Sequence, residues 1–357
     1  MLAMISFLRW FARTLFAVLV LALLAGAFVI VKFEGWKKAK LAALDAGSKV
    51  IETTAGPVEY TERGSGPAVL ICHGAPGGYD QAMLLGEPLA KAGFRVIAPS
   101  RPGFLRTPLT TGLLFEDQAD ALAALLDKLG IKHVAVLGFS TGAQVAARFA
   151  LRHPDRTDAL VLISPVTVAY QRDPLKQPEQ LLPDAALFKT TGDMGAWFFL
   201  EQARRDPAWM LDAVFAAETK QDAAGRAKLG DFVAGDRAQM EFFRALLGTQ
   251  APLSPRESGT RNDLLLVRVL DPVAYDRIKA PTLIVTGADD IASQWVDPKA
   301  ITTLLPTART LAVKGAGDLV WFGSNAAAAS QAVVDFLKNP SPQPTPTPSP
   351  SPGPATP

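Results

Sequence analysis

The chain has 357 residues, 49% hydrophobic and 20% charged, which is material for one large α/β domain with a full core. Lys+Arg 36 against Asp+Glu 34 leaves a net charge of +2, so no basic excess points to nucleic acid. A single cysteine, Cys72, excludes a disulfide scaffold and a cysteine-based zinc site, and three histidines are too few for a histidine-rich metal centre, so neither metal nor cofactor is expected.

Residues 14–31 read TLFAVLVLALLAGAFVIV, 18 positions without a charge. As a helix this stretch spans about 27 Å, close to the thickness of a bilayer's hydrocarbon core. Arg9 and Arg13 precede it, and Lys32, Lys37, Lys38 and Lys40 follow. The expectation is a single-pass membrane anchor over residues 1–35. The rival is a cleaved signal peptide, because Ala25-Gly26-Ala27 has the look of a small-residue cleavage site. The two arginines reach the insertion machinery first, which favours a folded domain on the extracytoplasmic (periplasmic) side, although the later lysines oppose it.

Seven strand-like runs follow in order: VEYTER, AVLICHG, FRVIAPS, HVAVLGFS, DALVLIS, TLIVTG and RTLAVKG. Several are continuously apolar, as in strands covered on both faces. They alternate with helical patterns such as EDQADALAALLDKLG and TGAQVAARFALRHP, so the fold class is α/β with a mostly parallel, doubly wound sheet. The sheet is expected from two parts, residues 36–164 and 278–338. Between them, residues 165–277 lose the alternation and read as a helical lid with aromatics at Phe188, Trp197, Phe198, Trp209, Phe215, Phe232 and Phe243, among others. Those rings suit either the lid's own core or an apolar acyl group. From Pro340 to the end the chain alternates proline with Ser, Thr and Gln, so residues 339–357 read as a disordered tail whose partner, if any, is unknown.

Two motifs carry chemistry. Gly138-Phe139-Ser140-Thr141-Gly142 joins a strand to a helix, and a turn that tight forces its central serine into strained geometry with the hydroxyl lifted clear. His73-Gly74-Ala75-Pro76-Gly77-Gly78 follows the strand AVLIC, where the Ala75 amide can join that of Thr141 to hold a developing oxyanion. With SRPGFLRTP, LRHPDRTDALVLISP and TLIVTGADD in the same order, the chain resembles the α/β-hydrolase superfamily from about Val58 to Leu337. The resemblance implies Ser140 as nucleophile, Ala75 and Thr141 as oxyanion donors, and His73 as a support for its loop. It implies an acid just after TLIVTG, with Asp290 preferred and Asp289 second. It also implies a histidine in the loop after RTLAVKG, and there this chain departs: the position holds Asp318.

No other histidine is well placed to substitute. His133 stands at the far end of the serine's strand, about 23 Å away. His153 stands about 20 Å down the following helix. Aspartate is the weaker base, with an ordinary pKa near 3.9 against about 6.5 for imidazole. Three readings therefore compete: a weak or unusual ester or amide hydrolase, an inactive relative binding a small apolar ligand under its lid, and an envelope scaffold using the tail.

Overall fold

The computed structural model describes residues 2–166, 192–289, 305 and 308–341. It opens on α1 (Leu2–Ala46), a single helix of 45 residues. Its first two-thirds stand clear of the rest of the chain, with large apolar side chains such as Leu21, Leu23, Phe28 and Val31 exposed. The last third docks. Phe33, Lys37, Lys40 and Leu44 share one face by their spacing. Phe33 packs on Trp197 with ring centroids 5.9 Å apart, and Lys37 pairs with Asp193 at 2.8 Å. Lys40 Nζ donates to the Gly248 carbonyl at 3.3 Å, and Tyr79 donates to the Leu44 carbonyl at 2.7 Å. The helix stops at Gly47, where a Cβ would stand 2.4 Å from the Tyr79 hydroxyl.

Eight strands then form one sheet in the order β1-β2-β4-β3-β5-β6-β7-β8. They are β1 (Lys49–Thr53), β2 (Gly56–Arg63), β3 (Ala68–Cys72), β4 (Arg95–Pro99), β5 (Val134–Phe139), β6 (Thr157–Ile163), β7 (Thr282–Gly287) and β8 (Arg309–Val313). β2 runs antiparallel to β1 and β4, and every later pairing is parallel. Seven strands are those expected from the sequence. The edge strand β1 is the addition; its KVIET is mostly exposed and carries no apolar alternation to announce it.

Strand alternation divides the core between two faces. Leu70, Val136, Leu160 and Ile284 pack with α3 (Phe115–Lys128) and α4 (Gly142–Arg152). Ile71, Leu137, Val161 and Val285 pack on the other side with α2 (Tyr79–Lys91) and α10 (Ala326–Lys338). Between β6 and β7 come α5 (Asp193–Arg205), α6 (Pro207–Glu218), α7 (Ala223–Gly235), α8 (Arg237–Gly248) and α9 (Glu257–Arg268). Asp206, Asp222 and Asp236 cap α6, α7 and α8, each side chain accepting from backbone N–H groups of the first turn. Phe215 and Phe243 are buried in this helical cap, joined by Phe322 from the loop after β8. Phe198, Trp209 and Phe232 remain exposed. Phe188, the helix expected around residues 294–305 and the Pro-rich tail beyond residue 341 fall outside the described residues.

Candidate active site

Parallel pairing sets the site. Cys72 is in register with Gly138, and Phe139 with Ile163, so the chain leaves β3, β5 and β6 at neighbouring points of one sheet edge. Ser140 sits at the exit of β5 with φ of 53°, a left-handed conformation that an L-residue adopts only where its surroundings impose it. The imposing contacts are specific. The Ser140 N–H donates to the Ile163 carbonyl at 3.0 Å, and its carbonyl accepts from Ala143 N–H at 3.1 Å as α4 begins. A Cβ on Gly138 would come within 2.5 Å of Ala143, and one on Gly142 within 2.3 Å of the Cys72 and His73 carbonyls. Both flanking glycines are therefore steric requirements of the turn.

The loop after β3 lies against this elbow. A Cβ on Gly74 would stand 3.3 Å from the Ser140 Cβ. Gln81 braces the loop, its Oε1 accepting from Gly74 N–H at 2.9 Å and its Nε2 donating to the Pro76 carbonyl at 3.1 Å. The N–H groups of Ala75 and Thr141, both at this edge, make no hydrogen bond among the described residues.

His73 is fully buried, and both its ring nitrogens are occupied. Nε2 accepts the Arg101 N–H at 2.9 Å, so the proton is on Nδ1, which donates to the Gly74 carbonyl at 2.7 Å. Burial, then the nearby Arg101 charge, holds its pKa well below 6.5. His73 is a neutral brace of the loop. His133 is exposed beside Asp158 at 3.4 Å, and His153 bonds Asp120 at 3.0 Å past the C-terminal end of α4. All three histidines of the chain are thus accounted for, each away from the role of a base on Ser140.

Asp318 lies in the loop after β8, and that loop reaches the same edge. The Asp318 carbonyl accepts from the Ser164 hydroxyl at 2.7 Å, immediately after β6, and its N–H donates to the Glu218 carbonyl of the cap at 2.9 Å. Trp321 packs edge-on against Phe139, beside Ser140, with centroids 4.8 Å apart. Asp289 follows β7, but its Oδ2 accepts from Gln221 Nε2 at 3.0 Å and its carbonyl from Thr219 and Lys220, which ties it to the cap. Asp290 falls outside the described residues.

Arg101 and Asp263 are the pair that sequence reasoning missed. Arg101, fully buried in the loop after β4, uses all five guanidinium N–H donors: one to the His73 carbonyl, one to Gln118, one to Thr141 Oγ1 and two to Asp263. The Thr141 hydroxyl in turn donates to Asp263 at 2.8 Å. One ion pair between the core and α9 therefore fixes the residue after the elbow serine. Cys72, fully buried on β3, is inert by comparison; burial pushes its thiol up to about 12.

The comparisons with known proteins agree with this geometry. A family model described as alpha/beta hydrolase fold matches residues 67–323. The chain is 32% identical over 116 residues to the 2-hydroxy-6-oxo-6-phenylhexa-2,4-dienoate hydrolase of Comamonas testosteroni, a match covering 30% of this chain and 40% of that protein. It is 30% identical over 245 residues to a 2-hydroxy-6-oxononadienedioate/2-hydroxy-6-oxononatrienedioate hydrolase of Burkholderia vietnamiensis, covering 65% of this chain and 74% of the relative. The matches to the Comamonas testosteroni and Burkholderia cepacia phenylhexadienoate hydrolases span only 40% of those proteins' length. Among solved structures it is similar to an alpha/beta hydrolase fold protein from Nakamurella multipartita, with TM-score 0.70 and 28% identity over 82% of this chain and 99% of that one. A family match across nearly the whole sheet and cap, with the elbow in place, shows that the chain belongs to the alpha/beta hydrolase fold family.

Proposed function

We propose that the protein is a membrane-anchored hydrolase of small acyl substrates, esters or amides, that works slowly because Asp318 stands where an imidazole base is needed. The observation that carries this reading is Ser140: a strained left-handed residue, held between two glycines that no larger residue could replace. Strain of that kind is of order 1–3 kcal/mol and persists where function uses it.

In the proposed cycle the Ser140 Oγ attacks the substrate carbonyl carbon and its proton passes to the Asp318 carboxylate. The carbonyl oxygen becomes an oxyanion held by the Ala75 and Thr141 N–H groups. Collapse breaks the bond to the leaving alcohol or amine, which takes the proton from Asp318. Water then attacks the acyl-serine by the same route, returning Ser140 and releasing the acid. Asp290, three residues past Gly287, is the acid that holds the Asp318 loop's charge in place. Two carboxylates at one site favour a shared proton, which makes the pair a better base than a lone aspartate. The step remains far from a full triad: removing a triad base in a model protease costs on the order of a million-fold.

The charge-free stretch of α1 is the proposed anchor, its apolar side chains exposed along the span. A second reading, an inactive relative that binds a small apolar ligand under its cap, is favoured by one observation: none of the three histidines serves Ser140. A fluorophosphonate probe separates the two. The hydrolase reading expects slow labelling of the wild type and none of Ser140→Ala; a folded wild type that never labels supports the binding protein.

A further inference from the structure

A groove of about 630 Å³ opens between α1 and the first cap helix, α5. Its α1 wall is Phe28, Val29, Lys32 and Trp36; its α5 wall includes Trp197, Phe198, Arg204 and Arg205. The α1 wall begins inside the charge-free stretch of residues 14–31 and ends just past it, so one end of the groove is apolar and the other cationic. Lys32 Nζ stands 5.5 Å from the Phe28 ring centroid, at the step between the two. Arg204 and Arg205 are both exposed, and the acidic residue nearby, Glu201, is already paired with Arg204 at 3.2 Å. The groove therefore carries an excess of positive charge beside an aromatic wall, with Phe198 60% exposed.

This is the arrangement expected where a protein surface meets the headgroup layer. Aromatic rings favour the interfacial region, long cationic side chains reach toward lipid phosphates, and acidic lipids attract clustered Lys and Arg. A volume of this size is ample for a headgroup and the first part of an acyl chain. The orientation is not left to a flexible link, because Phe33, Lys37, Lys40 and Leu44 fasten the same helix to the cap and core. If α1 crosses the bilayer, α5 is held at the level of the headgroups.

We propose that this groove binds one acidic phospholipid of the bilayer, its phosphate against Lys32, Arg204 and Arg205 and its proximal acyl chain along Phe28, Val29 and Trp197. The site rests on the anchor reading of α1 and is separate from Ser140. Its consequence is that acidic lipid seats the cap on the membrane and fixes the angle at which the domain stands.

The test uses the full chain in phosphatidylcholine nanodiscs containing a minor fraction of lipid brominated near the carboxyl end of its acyl chains. Trp36 and Trp197 report, since bromine quenches tryptophan at contact. The expected result is greater quenching by brominated phosphatidylglycerol than by brominated phosphatidylcholine. That excess should disappear in Arg204→Gln/Arg205→Gln and in Lys32→Gln, and persist in Ser140→Ala. Equal quenching by the two lipids, or an excess that survives both sets of substitutions, overturns the lipid site. Carbonate extraction reads the anchor separately: a wild-type chain washed from membranes overturns the anchor reading, and the lipid site falls with it.

Discussion

His73 is a group whose titration should be visible in stability and not in catalysis. Burial and the Arg101 charge keep it neutral in the folded protein, whereas the unfolded chain takes up a proton below about pH 6.5. The folded pKa is depressed, so the stability linked to His73 is complete above about pH 6.5 and is lost as the pH falls. The slope is at most about 1.4 kcal/mol per pH unit for one proton. Urea midpoints between about pH 7.5 and pH 5.5 should show this decline, and His73→Asn, though less stable, should flatten it. An unchanged slope in that variant would contradict the neutral-brace assignment. At this scale the elbow and the loop after β3 were legible because steric rules are local: a tight turn needs its glycines whatever the rest of the chain does. The neutral state of His73 was not, because it depends on the Arg101 backbone 28 positions away.

Between elements, the contact with most at stake is the ion pair joining the β4 loop to α9. Arg101 and Asp263 are both fully buried, so removing one partner strands the other's charge. Asp263→Ala is expected to destabilise by about 3–5 kcal/mol, read as a lower urea midpoint, and to loosen the Thr141 hydroxyl. A loss below about 1 kcal/mol would mean that water reaches the pair. The sequence offered SRPGF as a motif, but Asp263 sits in a cap helix with no pattern around it, and only tertiary contact gives it meaning. The same holds for α1. Lys37 and Lys40 read as charged flanks of a membrane span, yet both are docking residues. Deleting residues 1–31 should therefore yield a soluble domain with the thermal midpoint of the full chain. Deleting residues 1–46 removes buried Phe33 and Leu44, each worth about 1.5–3 kcal/mol, and leaves the buried Asp193 without its lysine. Its midpoint should be clearly lower, and equal midpoints for the two truncations would show that the docked third of α1 is dispensable.

Over the whole molecule, sheet order, the loops at one edge and the cap followed from alternating apolar runs and their interruptions, since buried parallel strands announce themselves by continuous hydrophobicity. β1 escaped because an exposed edge strand needs no apolar face. The architecture assembles a nucleophile, two oxyanion donors and a cap, and then places an aspartate where the chemistry calls for imidazole. The central claim is that this site is otherwise built for acyl transfer, and one measurement tests it most directly: initial rates of p-nitrophenyl butyrate hydrolysis by wild type, Ser140→Ala, Asp318→His and the double variant. The account predicts slow turnover by wild type that Ser140→Ala abolishes, a gain of about a hundredfold or more in Asp318→His, and loss of that gain in the double variant. Folded proteins that show no Ser140-dependent turnover in either background would contradict it.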